Sequence, residues 1–178
     1  MIIIKEDFVL RAIEEEDLDL LRDMINDPDI ENMTGGSSFP VSRVKQKLWF
    51  DSIQKHENEL RLIIDTKEHG SIGLVMLTNI DYRNRTAEFH SKITTHKNLH
   101  GKGYGTKATQ ALVEYGFNQL NLHCIYSRII EYNTASQRVK EKCGFIKDGI
   151  LRDRIYKNGK YFSLVEWSIT QDEFINVT

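Results

Sequence analysis

The chain runs to 178 residues, of which 40% are hydrophobic and 28% charged, with a formal net charge of −2. That is the size and balance of one globular domain, 1–178, whose core needs no staples; it gives no global attraction to nucleic acid or an anionic membrane, and no window nears the ~20 apolar residues that span a bilayer. Two cysteines, Cys124 and Cys143, are too few for a disulfide framework or a zinc cluster, and the N-terminal apolar run is short and followed by acids, so a cytoplasmic protein with reduced thiols and no secretory leader is expected.

Residues 2–10 read as a short strand. Residues 17–26 repeat apolar side chains at helical spacing (Leu18, Leu21, Met24, Ile25), and Pro28 is expected to help end that helix. The acidic run Glu14, Glu15, Glu16 and Asp17 reads as solvated first-turn charge and an N-cap. Residues 34–38 form a loop by composition, and Ser42 is expected to cap a second helix with Val44, Leu48, Phe50 and Ile53 as its apolar positions. Strands follow at 60–65, 71–80 and 85–95, separated by turns at 68–70 and 81–84. A glycine cluster, Gly101, Gly103 and Gly105, precedes a helical pattern built on Ala108, Ala111, Leu112, Tyr115 and Phe117. Residues 123–130 read as a strand and 134–142 as a helix closed by Gly144. Strands 146–156 and 161–169 flank a turn in which Asn158-Gly159 is a two-residue hairpin signal. The order predicts an α+β layout around one mixed sheet.

The segment Leu99-His100-Gly101-Lys102-Gly103-Tyr104-Gly105-Thr106 joins a strand to a helix. Glycines there allow a tight turn and close approach of a ligand, and the helix start presents free N–H groups and a positive dipole end. A pyrophosphate suits that description, with Lys102 and Lys107 nearby. The pattern lacks the Gly-Lys-Ser/Thr of a phosphate-binding P-loop and makes a poor dinucleotide fingerprint. Alone, it is also compatible with a plain strand-to-helix turn that holds no ligand.

A second motif, Asn133-Thr134-Ala135-Ser136-Gln137-Arg138-Val139-Lys140-Glu141-Lys142-Cys143-Gly144-Phe145, follows one helix and one strand later. Together the two motifs resemble the GCN5-related N-acetyltransferase (GNAT) superfamily. The spacing of the second is similar to the branch that acetylates N-termini of ribosomal proteins, while Gly73-Leu74-Val75, Ala87-Glu88-Phe89 and Asn158-Gly159-Lys160-Tyr161 extend the likeness toward bacterial spermidine acetyltransferases. The resemblance implies a mixed, largely antiparallel sheet of about seven strands, flanked by four helices, with a splayed central parallel pair. It implies acetyl-CoA as acetyl donor: backbone at Ile93, Thr94 and Thr95 along the pantetheine arm, His100, Gly101 and the amides of Lys102, Gly103, Tyr104, Gly105 and Thr106 at the pyrophosphate, Asn133 at the pantetheine, and Lys140 toward the nucleotide phosphates. Two departures stand out. His100 replaces the Gln/Arg that opens the glycine signature, and Lys140 stands where many members carry a tyrosine acid.

Direct attack of a neutral primary amine on a thioester needs a base, donors for the oxyanion and an acid for the thiolate. Ser136, on the first turn of its helix, is the candidate acid; the plain alternative is a serine satisfying backbone. Glu88 is the first candidate base and His90, two residues on and therefore on the same strand face, the second. His96 and His100 read as loop residues, and no His/Cys/Asp/Glu spacing suggests a metal. The aromatic C-terminal hairpin (Tyr156, Tyr161, Phe162, Trp167) is expected to be core or cross-strand pairs, with one or two rings lining an acceptor cleft whose opposite wall is Asn32, Met33 and Thr34. The expected function is acetyl-CoA-dependent N-acetylation of a primary amine: a protein N-terminus, a polyamine or a small amino compound. The rival is a catalytically weak acyl-CoA-binding or sensing module of the same fold. Edge strands in such a sheet would also support a homodimer.

Overall fold

In the computed structural model, which describes residues 3–35, 39–53, 55, 57–95, 99 and 101–177, the N-terminal apolar stretch is two strands rather than one. β1 (Ile3–Ile4) and β2 (Phe8–Arg11) pair antiparallel, and the Lys5 amide donates to the Phe8 carbonyl at 3.0 Å between them. The acidic run becomes a 3-10 turn, Glu15–Asp17, with a capping box at Glu14. Its last residue is not solvated. Asp17 is buried and accepts from the Arg11 guanidinium at 2.8 and 2.9 Å and from the Ser71 hydroxyl at 3.0 Å. Burial works to raise its pKa, but the Arg11 guanidinium and the Glu14 amide more than offset that and hold the carboxyl below its ordinary value.

Three helices follow: α1 (Leu18–Asn26), α2 (Pro28–Met33) and α3 (Arg43–Ile53). Pro28 opens α2 instead of merely ending α1. Its fixed φ suits the first helical position, and the Asp27 carboxylate caps the turn by accepting from the Asp29 and Ile30 amides at 2.8 and 3.4 Å. Ser42 caps α3, accepting from the Lys45 amide at 3.2 Å. The inward face of α3 is Trp49, Phe50 and Ile53, packed with Leu21, Met24 and Ile30. Val44 and Leu48, expected to be buried, are 70% and 64% exposed.

The rest is a long meander and a crossover: β3 (Leu60–Thr66), β4 (Gly70–Asp81), β5 (Thr86–Ile93), α4 (Tyr104–Asn118), β6 (Cys124–Ile130), α5 (Thr134–Lys142), β7 (Ile146–Lys157), β8 (Lys160–Thr170) and α6 (Gln171–Val177). The strands form one sheet in the order β1-β2-β3-β4-β5-β6-β8-β7, antiparallel except for β5–β6, which α4 connects. Asn158 and Gly159 both have positive φ, 50° and 80°, as a two-residue turn matched to strand twist requires. The described residues thus form eight strands and six α-helices. The additions are the split first strand, the Pro28 helix and α6. A Thr170-x-x-Glu173 capping box marks α6: the Glu173 carboxylate accepts from the Thr170 amide at 2.7 Å, and the Thr170 hydroxyl accepts from the Glu173 amide at 3.4 Å.

Both faces of the sheet are covered. The larger core, with Phe89, Leu112, Phe117 and Ile125 fully buried, lies under α4; Ile63 and Leu74 meet α1–α3 on the other face. β4 and β5 approach so closely that a Cβ on Gly73 would lie 2.1 Å from the Lys92 carbonyl oxygen.

Candidate active site

The parallel pair is short. β5 and β6 are in register only at Thr86↔Cys124, Ala87↔Ile125 and Glu88↔Tyr126, although β5 continues to Ile93 and β6 to Ile130. Each strand keeps its outer neighbour past that point: β5 stays with β4 to Gly73↔Ile93, β6 with β8 to Ile130↔Leu164. The inner edges diverge and open a cleft of about 840 Å³, lined also by the starts of α4 and α5 and by Met33, Thr34 and Gly35 at the end of α2. The Thr94 amide is committed to the Ile72 carbonyl at 2.8 Å on the β4 side. By strand alternation the amides of Ser91 and Ile93 turn toward the open edge. Ile93, Thr94 and Thr95 all border the cleft, while the Thr95 hydroxyl donates to the Asp27 carboxylate at 2.6 Å, tying the end of β5 to α2.

At the mouth, Gly101 and Gly103 have φ of 80° and 78°, a region L side chains rarely adopt. Gly103 is the N-cap of α4 and supplies no side-chain cap, so the first-turn amides of Tyr104, Gly105 and Thr106 meet the cleft without a capping group. Lys102 does not add charge there. Its ammonium lies 3.2 Å from the Glu68 carboxylate and 2.8 Å from His69 Nε2 on the β3–β4 turn. Lys107 is held by Asp7. Anion attraction therefore comes from backbone amides and the helix dipole. His96, His100 and residues 36–38 lie outside the described residues.

Asn133, the N-cap of α5, borders the cleft. Its side-chain oxygen accepts from the Ser136 amide at 3.1 Å and its Nδ2 donates to the Met33 carbonyl at 2.9 Å, joining the start of α5 to the end of α2. Ser136 is half-buried at the cleft wall, and its hydroxyl has no hydrogen-bond partner among the described residues. Lys140, one turn further along α5, also borders the cleft. It is 3% exposed, with Nζ 3.5 Å from the Phe89 ring centroid and 4.9 Å from that of Phe145, so it is folded inward instead of reaching along the surface. Burial pulls its pKa down to about 7 and pushes the neighbouring Cys143 thiol up to about 11.

Across the gap, Glu88 and His90 share the face of β5 opposite to Phe89. Glu88 is 8% exposed; one carboxylate oxygen accepts from Asn79 Nδ2 at 3.0 Å, and the other lies 3.9 Å from His90 Nε2 and 3.8 Å from the Arg128 guanidinium. His90 Nε2 is 3.1 Å from the Thr78 hydroxyl. Burial lowers the His90 pKa below its ordinary 6.5 against the pull of Glu88, so the ring is neutral at pH 7. Lys92, next on that face, borders the cleft with no ion-pair partner among the described residues; burial, Arg61 and Lys157 lower its pKa.

Sequence reasoning missed the clamp that sets the second wall. Lys157, buried at the end of β7, donates to the Glu31 carboxylate at 2.5 Å and to the Glu31 carbonyl at 2.6 Å, while the Tyr132 hydroxyl donates to the Asn32 carbonyl at 2.6 Å. No local signal announces partners more than 90 residues apart; only Lys157's place beside the hairpin turn fixes its position. The aromatic hairpin does not line the cleft. Tyr156 and Tyr161 meet edge to face across the strands at the surface, Phe162 packs on Tyr132, Trp167 is core, and Ile155 and Leu164 face the cleft instead. Among the described residues no group of three His, Cys, Asp or Glu side chains is placed to hold a metal ion, and no helix is long and apolar enough to cross a membrane.

Comparison with known proteins agrees with this geometry. Residues 7–146 match the model of the acetyltransferase (GNAT) domain. A spermidine N(1)-acetyltransferase of Vibrio cholerae is 30% identical over 94% of this chain and 95% of its own length. A putative ribosomal N-acetyltransferase of Bacillus subtilis is 35% identical over 57% of this chain and 55% of its own. The crystal structure of the Vibrio cholerae spermidine N-acetyltransferase with CoA and spermine superposes with a TM-score of 0.89, at 27% identity, covering 97% of this chain and all of that one. The chain belongs to the GNAT family and is an acetyl-CoA-dependent N-acetyltransferase.

Proposed function

We propose that this chain acetylates a primary amine of a polyamine, in the cytosol, with donor and acceptor held together in the cleft. One observation carries the reading: the gap between β5 and β6 has uncapped α4 amides on one side and the Glu88–His90 pair on the other. Acetyl-CoA supplies the activated acetyl thioester when bound. The amides of Gly103, Tyr104, Gly105 and Thr106 would hold its pyrophosphate, and the open edge at Ser91 and Ile93 would pair with the pantetheine arm. Ser136 would donate a hydrogen bond toward the reacting thioester. Glu88, a buried carboxylate, would attract the acceptor ammonium, and it or the neutral His90 would take the proton that must leave before attack. The full-length similarity to spermidine acetyltransferases supports the polyamine.

One observation favours a second acceptor class. Lys92, unpaired and facing the same wall, would repel a long polycation and attract an amine that carries an anion, as an acidic protein N-terminus does. CoA release measured with spermidine, spermine, an acidic N-terminal peptide and a neutral one separates these. Turnover with the polyamines alone is expected; turnover with the acidic peptide alone would transfer the assignment to the second class.

A further inference from the structure

The chemistry assigned above uses Glu88 and His90 and leaves the third residue of their row, Lys92, without a task. Alternation puts the three on one face of β5, with roughly 13 Å between the first Cα and the last. Glu88 is the last residue of β5 in register with β6, and Lys92 lies four positions further along the diverging edge, where it borders the cleft. Its ammonium has no carboxylate partner among the described residues and, unlike that of Lys140, is not sealed from solvent. The neighbouring cations are all compensated. Arg61 holds Glu59 at 2.7 Å, Arg128 holds Glu166 at 3.0 Å, and Lys157 holds Glu31 at 2.5 Å. Arg61 and Lys157 lie close enough to act on Lys92, and Lys92 close enough to act on His90. Among the described residues that border the cleft, Glu88 is the one carboxylate. The acceptor side therefore carries an anion where the strands part and an uncompensated cation further out.

A slot polarised in this way discriminates among amines. The reacting nitrogen arrives as an ammonium and is drawn to Glu88. Every further ammonium on the same molecule then has to be placed with Lys92 nearby. Two like charges about 10 Å apart at a partly buried site repel strongly enough to cost roughly tenfold in affinity. A side chain present only to pack here would be apolar, since holding a half-buried cation without a partner works against folding. We propose that Lys92 is the specificity-determining residue of the acceptor side, limiting the number of cationic groups an acceptor can carry, so that spermidine is taken ahead of spermine. Lys92 touches no reacting atom in this account. It acts through its field on where the acceptor's other charges can lie, and its effect therefore falls on acceptor binding and leaves the acetyl-transfer step to Glu88, His90 and Ser136.

This rests on the polyamine reading, and the test separates the two. CoA release would be measured with butylamine, 1,4-diaminobutane, spermidine and spermine, and with an acidic N-terminal peptide, for the wild type, Lys92→Met and Lys92→Arg. The wild type is expected to show a lower KM for spermidine than for spermine. In Lys92→Met the spermine KM should fall roughly tenfold, the spermidine KM less and the butylamine KM hardly at all, with kcat nearly constant throughout. Lys92→Arg keeps the charge and should keep the wild-type ranking, which separates charge from shape. The difference between the wild type and Lys92→Met should also shrink as ionic strength rises from about 0.05 M to about 0.5 M, because screening shortens the reach of the charge. An identical KM ranking in the wild type and Lys92→Met, or the Lys92→Met ranking reproduced by Lys92→Arg, would overturn the role of Lys92 while leaving acetyl transfer to polyamines intact. Turnover of the acidic peptide alone, lost in Lys92→Met and kept in Lys92→Arg, would retain Lys92 as the residue that reads acceptor charge and remove the polyamine. A wild type that releases no CoA with any amine would remove both readings together.

Discussion

The two walls of the cleft are built on different physical terms. The donor wall, from Ser91 and Ile93 through the glycine loop to the first turn of α4, offers backbone amides, and its side chains are either tied away, as Lys102 is to Glu68 and His69, or buried, as Lys140 is. The acceptor wall is made of side chains that reach across the molecule: Lys157 to Glu31, Tyr132 to Asn32, Asn133 to Met33, Thr95 to Asp27. A wall that binds through backbone needs only the right φ angles and a helix start, so it tolerates substitution. A wall fixed by long-range polar contacts is rigid where the contacts hold and specific to the side chains that make them.

The sharpest way to break the second wall is Lys157→Met. Removing one partner of a buried pair costs about 3–5 kcal/mol, and the low end is expected because Glu31 is 26% exposed. Denaturant unfolding reads the loss. The acceptor KM should rise while the acetyl-CoA Kd stays put; equal loss of both would mean that the walls are not separate. Glu88→Gln comes next. If Glu88 is the base, turnover should drop about a hundredfold, roughly 2.7 kcal/mol, and the acidic limb of the pH–rate profile should flatten; an unchanged limb would assign it to His90.

Asp27→Ala removes both the α2 cap and the Thr95 anchor. A lost cap costs about 0.5–2 kcal/mol, visible as a lower melting temperature, and again the acceptor side should suffer first. His90 gives a smaller, pH-dependent effect. Burial holds its folded pKa below the unfolded value, so its contribution is complete above about pH 6.5 and is lost as pH falls, when the unfolded chain takes up the proton more readily. His90→Gln should therefore melt closer to the wild type at pH 5 than at pH 7.5. The smallest effect is expected from Leu48→Ser on the exposed face of α3, within about 0.5 kcal/mol.

The contrast between the walls also explains what the sequence made legible. The glycine loop, the bounds of α5 and the Asn158-Gly159 turn are local: each depends on φ preferences and capping within a few residues. So does the alternation that puts Glu88 and His90 on one face of β5. Pro28 was ambiguous because proline both ends one helix and opens the next, and Asp27 decided which. The inward face of α3 could not be read from Val44 and Leu48, since nothing local says which side of a weakly amphipathic helix meets α1. The inward fold of Lys140 depends on Phe89, 51 positions away in the chain and on another element. The role of Asp17 likewise depends on Arg11 and Ser71. Tertiary contacts of this kind leave no trace at the spacing of a helix or strand.

The most direct measurement is calorimetric titration of acetyl-CoA into the wild type and Lys157→Met, followed by addition of spermidine to each with CoA release monitored. The expected result is equal acetyl-CoA affinity in the two proteins, CoA release only once the amine is added, and slower release at limiting spermidine in the variant. Absence of acetyl-CoA binding in the wild type, or binding that weakens in step with the acceptor wall, would contradict a cleft whose donor side is read by backbone alone.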